Sequence, residues 1–169
     1  EVKMIPRMVR EILDRRDDYK EIANEIYKSS SVFFIGRKVD YAVSMEGSLK
    51  LKEVSYIHSE AYQAGELKHG TISLIDEDVP VISIVTDKDI REKSISNIQE
   101  VKARGAKCIV ISNEKIEGYD INIVVPELSC FFQPLLIVPC LQLIAYEVAK
   151  LRGCDIDKPK NLAKSVTVE

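Results

Sequence analysis

Three charged side chains recur at helical spacing in the first third of the chain. Glu46, Lys50 and Glu53, followed by Ile57, fall in a stripe about 60° wide if residues 40–57 form a helix. The stripe adjoins the apolar side, so two carboxylates and an ammonium group would lie at the edge of the buried surface. Such carboxylates can act as general acids or bases. The same spacing is equally typical of a solvated Glu-to-Lys pair that contributes only about 0.3 kcal/mol.

Both histidines lie in the long segment that follows this helix. Residues 58–78 connect the helix to the next apolar run, and connections of this length are often functional. His69 can titrate near neutral pH and serve as a general acid or base, or it can be an exposed loop histidine. His58, near the helix end, is expected to cap or to pack.

The last sixteen residues have no strong periodicity and predict a surface arm. They include Lys164, and a lysine in such an arm is usually solvated. Only desolvation or a neighbouring cation would lower its pKa from about 10.4 enough to make the amine a nucleophile toward a carbonyl.

These candidates need a scaffold, and the hydrophobic pattern predicts one. Short apolar runs at 32–36, 81–85, 108–111 and 121–125 are typical of strands buried on both faces. Helical patterns alternate with them, and the last helix, roughly 134–152, is apolar on most sides and should be central. The pattern predicts a three-layer α/β/α fold, a doubly wound parallel sheet of flavodoxin-like type with a C-terminal tail.

The helix that carries the charged stripe is expected to pack on this sheet. Its predicted sheet-facing side comprises Tyr41, Ala42, Met45, Leu49 and Tyr56. Gly47 inside the helix costs up to about 1 kcal/mol relative to Ala, which suggests close approach by another element. At the N-terminal end of the chain, apolar residues between 5 and 27 predict one long amphipathic helix or two short ones.

Composition narrows the function classes. The 169 residues carry 24 Lys and Arg against 27 Asp and Glu, a net charge of −3 with both signs interspersed, so neither a nucleic-acid nor a membrane partner is expected. Four widely spaced cysteines without a C-x-x-C motif predict free, structural thiols and no metal site. We expect a cytoplasmic protein.

The strand ends carry no phosphate-binding loop. Residues 36–40 and 86–89, which follow the first two predicted strands, contain neither G-x-G-x-x-G nor a P-loop, and no Ser/Thr-rich run is present. In a doubly wound fold a ligand is nevertheless expected at the carboxyl ends of the strands, near the topological switch point.

Two stretches resemble a known enzyme family. Residues 46–58 (EGSLKLKEVSYIH), with 60–62 and 65–70, and the terminal 161–169 (NLAKSVTVE) resemble the C-terminal half of the glutamine:fructose-6-phosphate amidotransferases, also called glucosamine-6-phosphate synthases. The resemblance covers essentially the whole chain from Val32 onward. It implies a sugar isomerase (SIS) domain, the second of a tandem pair.

The resemblance also implies a role for five residues. Enzymes of the family convert fructose 6-phosphate and glutamine to glucosamine 6-phosphate and glutamate. By similarity, Lys164 forms a Schiff base with the open-chain ketose, and Glu53 moves a proton between C1 and C2. Lys50 tunes that carboxylate, Ala163 contacts substrate through its backbone, and His69 assists ring opening from the neighbouring subunit of a dimer. No cofactor is implied.

Further partners follow from the same resemblance. The first SIS domain, which would hold the sugar phosphate, and a glutaminase domain belong to the full-length chain. We therefore expect a fragment that is inactive alone, with an N-terminal helical connection at 1–30, the second SIS domain at 31–153 and the tail at 154–169. A non-catalytic sugar-phosphate-binding or regulatory SIS module stays open as an alternative. A nucleotide binder is disfavoured because no glycine fingerprint follows the first strand.

Overall fold

A computed structural model describes residues 1–119 and 121–160, and this part of the chain contains five strands and five α-helices. The strands are β1 (Ser31–Gly36), β2 (His58–Gln63), β3 (Pro80–Val85), β4 (Lys107–Ser112) and β5 (Ile121–Val124). The helices are α1 (Ile5–Asp14), α2 (Arg16–Ile26), α3 (Val39–Ser55), α4 (Arg91–Lys102) and α5 (Pro134–Leu151). The four strands predicted from apolar runs are β1, β3, β4 and β5, so those predictions are confirmed.

All strand pairs are parallel, in the order β2-β1-β3-β4-β5. The order reverses between β1 and β3, which makes their carboxyl ends the topological switch point. The predicted doubly wound parallel sheet is confirmed.

Helices cover both faces of the sheet. One hydrophobic cluster lies beneath α1, α2, α3 and α5, and the other lies beneath α4 and the short 3-10 turns that follow β2. Helix α5 is long and apolar enough by composition to cross a membrane, but half of it is buried within the fold, where it packs against α1, α2 and α3. Its predicted central position is confirmed.

Residues 58–78 were expected only to connect α3 to the next strand, but their first six residues form β2. Its sequence, His-Ser-Glu-Ala-Tyr-Gln, has only Ser59 fully buried, because β2 is an edge strand with one neighbour. An edge strand needs no continuous apolar run, and so the hydrophobic pattern missed it.

The predicted sheet-facing side of α3 is wrong. Met45, Leu49 and Tyr56 are exposed, and the buried side of the helix consists instead of Asp40, Val43, Ser44, Gly47, Ser48, Leu51 and Ser55. Small side chains let α3 lie close to its neighbours. A Cβ atom on Gly47 would stand 2.8 Å from Leu141 Cδ1 and 3.0 Å from Phe34 Cε1, which confirms the close approach that this glycine predicted.

Candidate active site

The charged stripe forms a compact cluster near the C-terminal end of α3. Lys50 Nζ lies 2.5 Å from Glu53 Oε2 and 3.7 Å from Glu46 Oε1. The Lys50 and Glu53 side chains are only 28% and 26% exposed, so this pair is less solvated than an ordinary surface ion pair. Hydrogen bonding to Glu53 raises the pKa of Lys50 despite partial burial. Lys50 is therefore an ammonium group at neutral pH, and it donates a hydrogen bond to the Glu53 side chain.

Local backbone geometry accounts for this arrangement. Positions 46, 50 and 53 differ by four and three residues, which places their side chains on successive turns of one helix face. The predicted stripe is confirmed for these three residues. Ile57 does not continue it, because α3 ends at Ser55, and Ile57 is buried beyond the helix end.

A cleft of about 660 Å³ opens beside Lys50. Its walls come from α1, α2, α3 and α5 and are mostly apolar, with Lys50 and Arg16 as the two cationic side chains. The lining residues are Leu13, Arg16, Lys50, Val54, Pro139, Gln142, Leu143, Ala145, Tyr146 and Ile156. An apolar cleft with a few convergent polar groups is the usual form of a ligand site.

The segment after α5 returns to the same end of α3. Arg152 Nε donates to the carbonyl of Ser55 at 2.8 Å, and its Nη1 donates to the carbonyl of Tyr27 at 2.7 Å. Ile156 enters the cleft beside Lys50, and the Lys160 N–H donates to the hydroxyl of Tyr56 at 2.7 Å. The described part of the chain thus ends next to the residue that terminates α3, about one helical turn beyond Glu53.

Two predicted site residues, Ala163 and Lys164, lie outside the described residues. The sequence pattern did not reveal the residues that anchor the tail. Tyr56, predicted on the sheet face, is the C-terminal cap of α3. Arg152, at the end of the last predicted helix, donates to the carbonyl of Ser55. The absence of glycine where α3 ends was the one available sign that position 56 is unusual.

His69 does not meet Glu53 within one chain. It is exposed at the end of a 3-10 segment, Ala64–His69, that begins where β2 finishes at the carboxyl edge of the sheet. Glu53 lies near the amino ends of the strands, where β2 starts and where His58 pairs with Ser31. The length of β2 alone separates the two ends of the strands by about 17 Å.

The expected role of His58 as a capping or packing residue is wrong. Its side chain is exposed, with Nε2 3.5 Å from Glu60 Oε1 at the start of the edge strand.

The switch point holds a buried carboxylate where a ligand was expected. Asp40, 3% exposed, accepts hydrogen bonds from the Thr86 N–H at 2.8 Å, the Thr86 hydroxyl and the Asp87 N–H at 3.4 Å. Burial raises the pKa of Asp40, and these hydrogen bonds oppose that rise. The carboxylate therefore occupies the Thr86 and Asp87 N–H groups at the carboxyl end of β3.

Only a small groove remains at this edge. Its volume is about 120 Å³, and the ion pairs Arg91–Glu114 and Lys88–Glu127 cross it. The expectation of a ligand at the carboxyl ends of the strands does not match the position of Lys50 and Glu53, which lie toward the other end of α3. Among residues 1–119 and 121–160, no group of three His, Cys, Asp or Glu side chains could hold a metal ion, and the four cysteines are free.

Comparison with known proteins identifies the family. A family model described as "SIS domain" matches residues 25–119, more than half of the chain. The chain belongs to the SIS domain family. This agrees with the parallel sheet order and with the helices on both of its faces.

The most similar relatives also agree on which SIS domain this is. The chain is 51% identical over its full length to glutamine–fructose-6-phosphate aminotransferase (isomerizing) of Caldanaerobacter subterraneus, and 50% identical over 98% of its length to the enzyme of the same name of Clostridium acetobutylicum. It spans 28% of the length of each and corresponds to their C-terminal SIS region.

Solved structures give the same correspondence. The C-terminal domain of glucosamine-fructose-6-phosphate aminotransferase from Francisella tularensis superposes with a TM-score of 0.87 at 35% identity, over 94% of this chain and 46% of that one. Glucosamine-6-phosphate deaminase from Thermotoga maritima gives a TM-score of 0.72 at 26% identity, over 98% of this chain and 47% of that one. In both cases this SIS domain aligns with about half of the neighbour.

Proposed function

We propose that this SIS domain supplies the proton-transfer and Schiff-base residues of a ketose–aldose isomerase that converts fructose 6-phosphate and glutamine to glucosamine 6-phosphate and glutamate. One observation carries the proposal: the C-terminal segment is anchored, at Tyr56, to the end of α3 that bears Lys50 and Glu53. Lys164 follows Lys160 by four positions, a contour length of at most about 14 Å. In this proposal the chain is therefore long enough for the Lys164 amine to reach the Glu53 carboxylate.

The chemistry needs an amine that activates the carbonyl. In this proposal the neutral amine of Lys164 attacks C2 of the open-chain ketose, the carbonyl oxygen leaves as water, and a ketimine forms. Ammonia then adds at C2 and releases the lysine amine. Ala163 contacts the sugar through its backbone.

Glu53 then completes the isomerisation. Its carboxylate takes a proton from C1 and returns one to C2, while the proton of the C1 hydroxyl ends on the imine nitrogen, so that the C2 imine becomes an amine and C1 becomes an aldehyde. Lys50, whose Nζ lies 2.5 Å from Glu53 Oε2, donates a hydrogen bond to this carboxylate and orients it for the transfers.

Ring opening requires a second copy in this proposal. His69 and Glu53 lie at opposite edges of the sheet, so an isolated chain cannot use both on one sugar. In a homodimer, His69 of one copy assists ring opening at the Glu53 of the other.

The remaining partners belong to the rest of the full-length chain. The buried Asp40 occupies the switch point, and we assign the sugar phosphate to the preceding SIS domain. A glutaminase domain supplies ammonia. Within this chain, 1–30 is the connection, 31–153 the second SIS domain and 154–169 the tail. The proposal includes a cytoplasmic location and no cofactor, nucleic acid or membrane.

Borohydride reduction tests the assignment of Lys164. The full-length protein is incubated with fructose 6-phosphate and borohydride, and peptides are mapped by mass spectrometry. We expect a reduced sugar adduct on Lys164 that disappears in Lys164→Met and persists in the matched control Lys158→Met. An unlabelled Lys164 in active protein would overturn the proposal and favour a non-catalytic sugar-phosphate-binding module.

A second assay tests the dependence on the missing half. This chain alone, given fructose 6-phosphate and ammonium, should show no turnover. Turnover by the isolated chain would refute the assignment of the phosphate anchor to the preceding SIS domain.

A further inference from the structure

Tyr56 has an unusual backbone conformation for its residue type. It caps the C-terminal end of α3 with φ 60° and ψ 18°, in the left-handed region, and its N–H donates to the carbonyl of Lys52. Glycine is the usual residue at such a position, since a side chain there costs conformational energy. A bulky residue retained in this region suggests that its side chain has a function.

The side chain of Tyr56 holds the tail through two contacts. Its hydroxyl accepts the Lys160 N–H at 2.7 Å, and the Lys160 ammonium group lies 5.6 Å from the centre of its ring. A glycine at position 56 would relieve the backbone but provide neither contact.

The anchor lies between the two groups that the proposed chemistry must bring together. Glu53 precedes Tyr56 by three residues on α3, whereas Lys164 follows Lys160 by four residues in the tail. A fixed Lys160 restricts the volume that the Lys164 amine can sample. Restriction of this kind raises the effective concentration of a reacting group near its target.

We propose that Tyr56 is a positioning residue, which fixes the point where the C-terminal tail leaves the SIS domain and thereby sets the rate at which Lys164 reaches the carbonyl. This inference rests on the proposed function, because it requires Lys164 to form the Schiff base. It adds a residue that touches neither substrate nor reacting atoms.

Two substitutions in the full-length protein separate the contacts. Tyr56→Phe removes the hydroxyl but keeps the ring, and Lys160→Ala removes the ammonium group but keeps the N–H. Loss of one hydrogen bond predicts that Tyr56→Phe slows borohydride trapping at Lys164, and kcat for isomerisation, by about fivefold. Lys160→Ala should have the smaller effect, about twofold, since an exposed cation–π contact is weaker.

A third variant removes both contacts and relieves the backbone. Tyr56→Gly should slow trapping by about tenfold or more without loss of thermal stability, because glycine prefers this conformation. A merely structural role would instead lower the melting temperature and leave trapping by the folded protein unchanged. The KM for fructose 6-phosphate should change by less than about twofold in all three variants, since binding precedes the step that Tyr56 affects.

Tyr119→Phe is the matched control. Tyr119 also carries a lysine over its ring, with Lys102 Nζ 5.1 Å from the ring centre, but it lies beneath the opposite face of the sheet. Trapping and kcat should equal those of wild type. If Tyr56→Phe and Tyr56→Gly both trap at the wild-type rate, the positioning role is overturned while the proposed function stands. If the wild-type protein gives no Lys164 adduct, the proposed function itself fails.

Discussion

The two ends of α3 differ in what they leave open to a ligand. At its N-terminal end, the switch point between β1 and β3, the carboxylate of Asp40 fills the available donors of Thr86 and Asp87. At its C-terminal end, the Lys50–Glu53 pair borders a cleft of about 660 Å³ and the returning tail. At the end of α3 where doubly wound folds commonly bind ligands, Asp40 thus fills the site (the closed end). At the other end a cleft borders the helix (the open end).

This difference fits a domain that completes a site rather than holding one alone. A switch point satisfied by its own carboxylate has little capacity to bind an anion. In the proposed function, by contrast, the partly exposed Lys50–Glu53 pair acts on a substrate whose phosphate another domain holds. A tandem of two SIS domains can divide the work in this way, with phosphate binding in one and proton transfer in the other.

Loss of the carboxylate at the open end should have the largest effect. Glu53→Gln in the full-length protein is expected to lower kcat for isomerisation by about 10²- to 10⁴-fold, the range for loss of a general acid–base group. Glucosamine 6-phosphate formation from fructose 6-phosphate measures this. Glu46→Gln, on the same face but 3.7 Å from Lys50, is the control and should cost less than about threefold. Equal losses in the two variants would contradict a specific role for Glu53.

Removing the ammonium group should have an intermediate effect. Lys50→Met keeps most of the side chain's packing but leaves the Glu53 carboxylate without its cation. We expect a loss of about tenfold in kcat, since the hydrogen bond from the ammonium group to the Glu53 side chain is lost. Lys52→Met, exposed on the same helix, should leave kcat unchanged. A kcat of Lys50→Met equal to that of wild type would show that the pair has no catalytic coupling.

Neutralising the closed end should have the smallest effect on activity and a distinct effect on stability. Asp40→Asn is expected to change kcat by less than about twofold, because Asp40 lies at the other end of α3 from Lys50 and Glu53. Burial raises the pKa of Asp40, so its ionised form lowers the stability of the fold at pH values above the folded-state pKa. That penalty disappears as the carboxyl group becomes protonated.

The sign of this linkage is open to measurement. Urea denaturation of wild type and Asp40→Asn between pH 7 and pH 4 should show the unfolding free energy of wild type rising relative to that of the variant as the pH falls. A change of opposite sign would mean that the hydrogen bonds from Thr86 outweigh burial.

The sequence predicted β1, β3, β4 and β5 and the charged stripe because apolar runs and helical spacing are both local patterns. A strand buried on both faces is a continuous apolar run wherever it lies, and residues 46, 50 and 53 share a face of any α-helix. The edge strand β2 was missed because its polar sequence has no such run. The packed face of α3 was also assigned wrongly, since small residues, rather than the larger Met45 and Leu49, meet the neighbouring elements.

The sequence by itself determined the secondary structure of the sheet core, the SIS-type pattern and the spacing of Glu46, Lys50 and Glu53. Only the tertiary structure decided that His69 and Glu53 lie at opposite edges of the sheet, that Asp40 closes the switch point, and that the tail is anchored at Tyr56. The physical reason is range. Periodicity follows from the geometry of neighbouring peptide units. The contacts of Asp40 and Tyr56 instead join residues that are separated by 46 and 104 positions in the chain, and they exist only once the sheet and its helices have assembled.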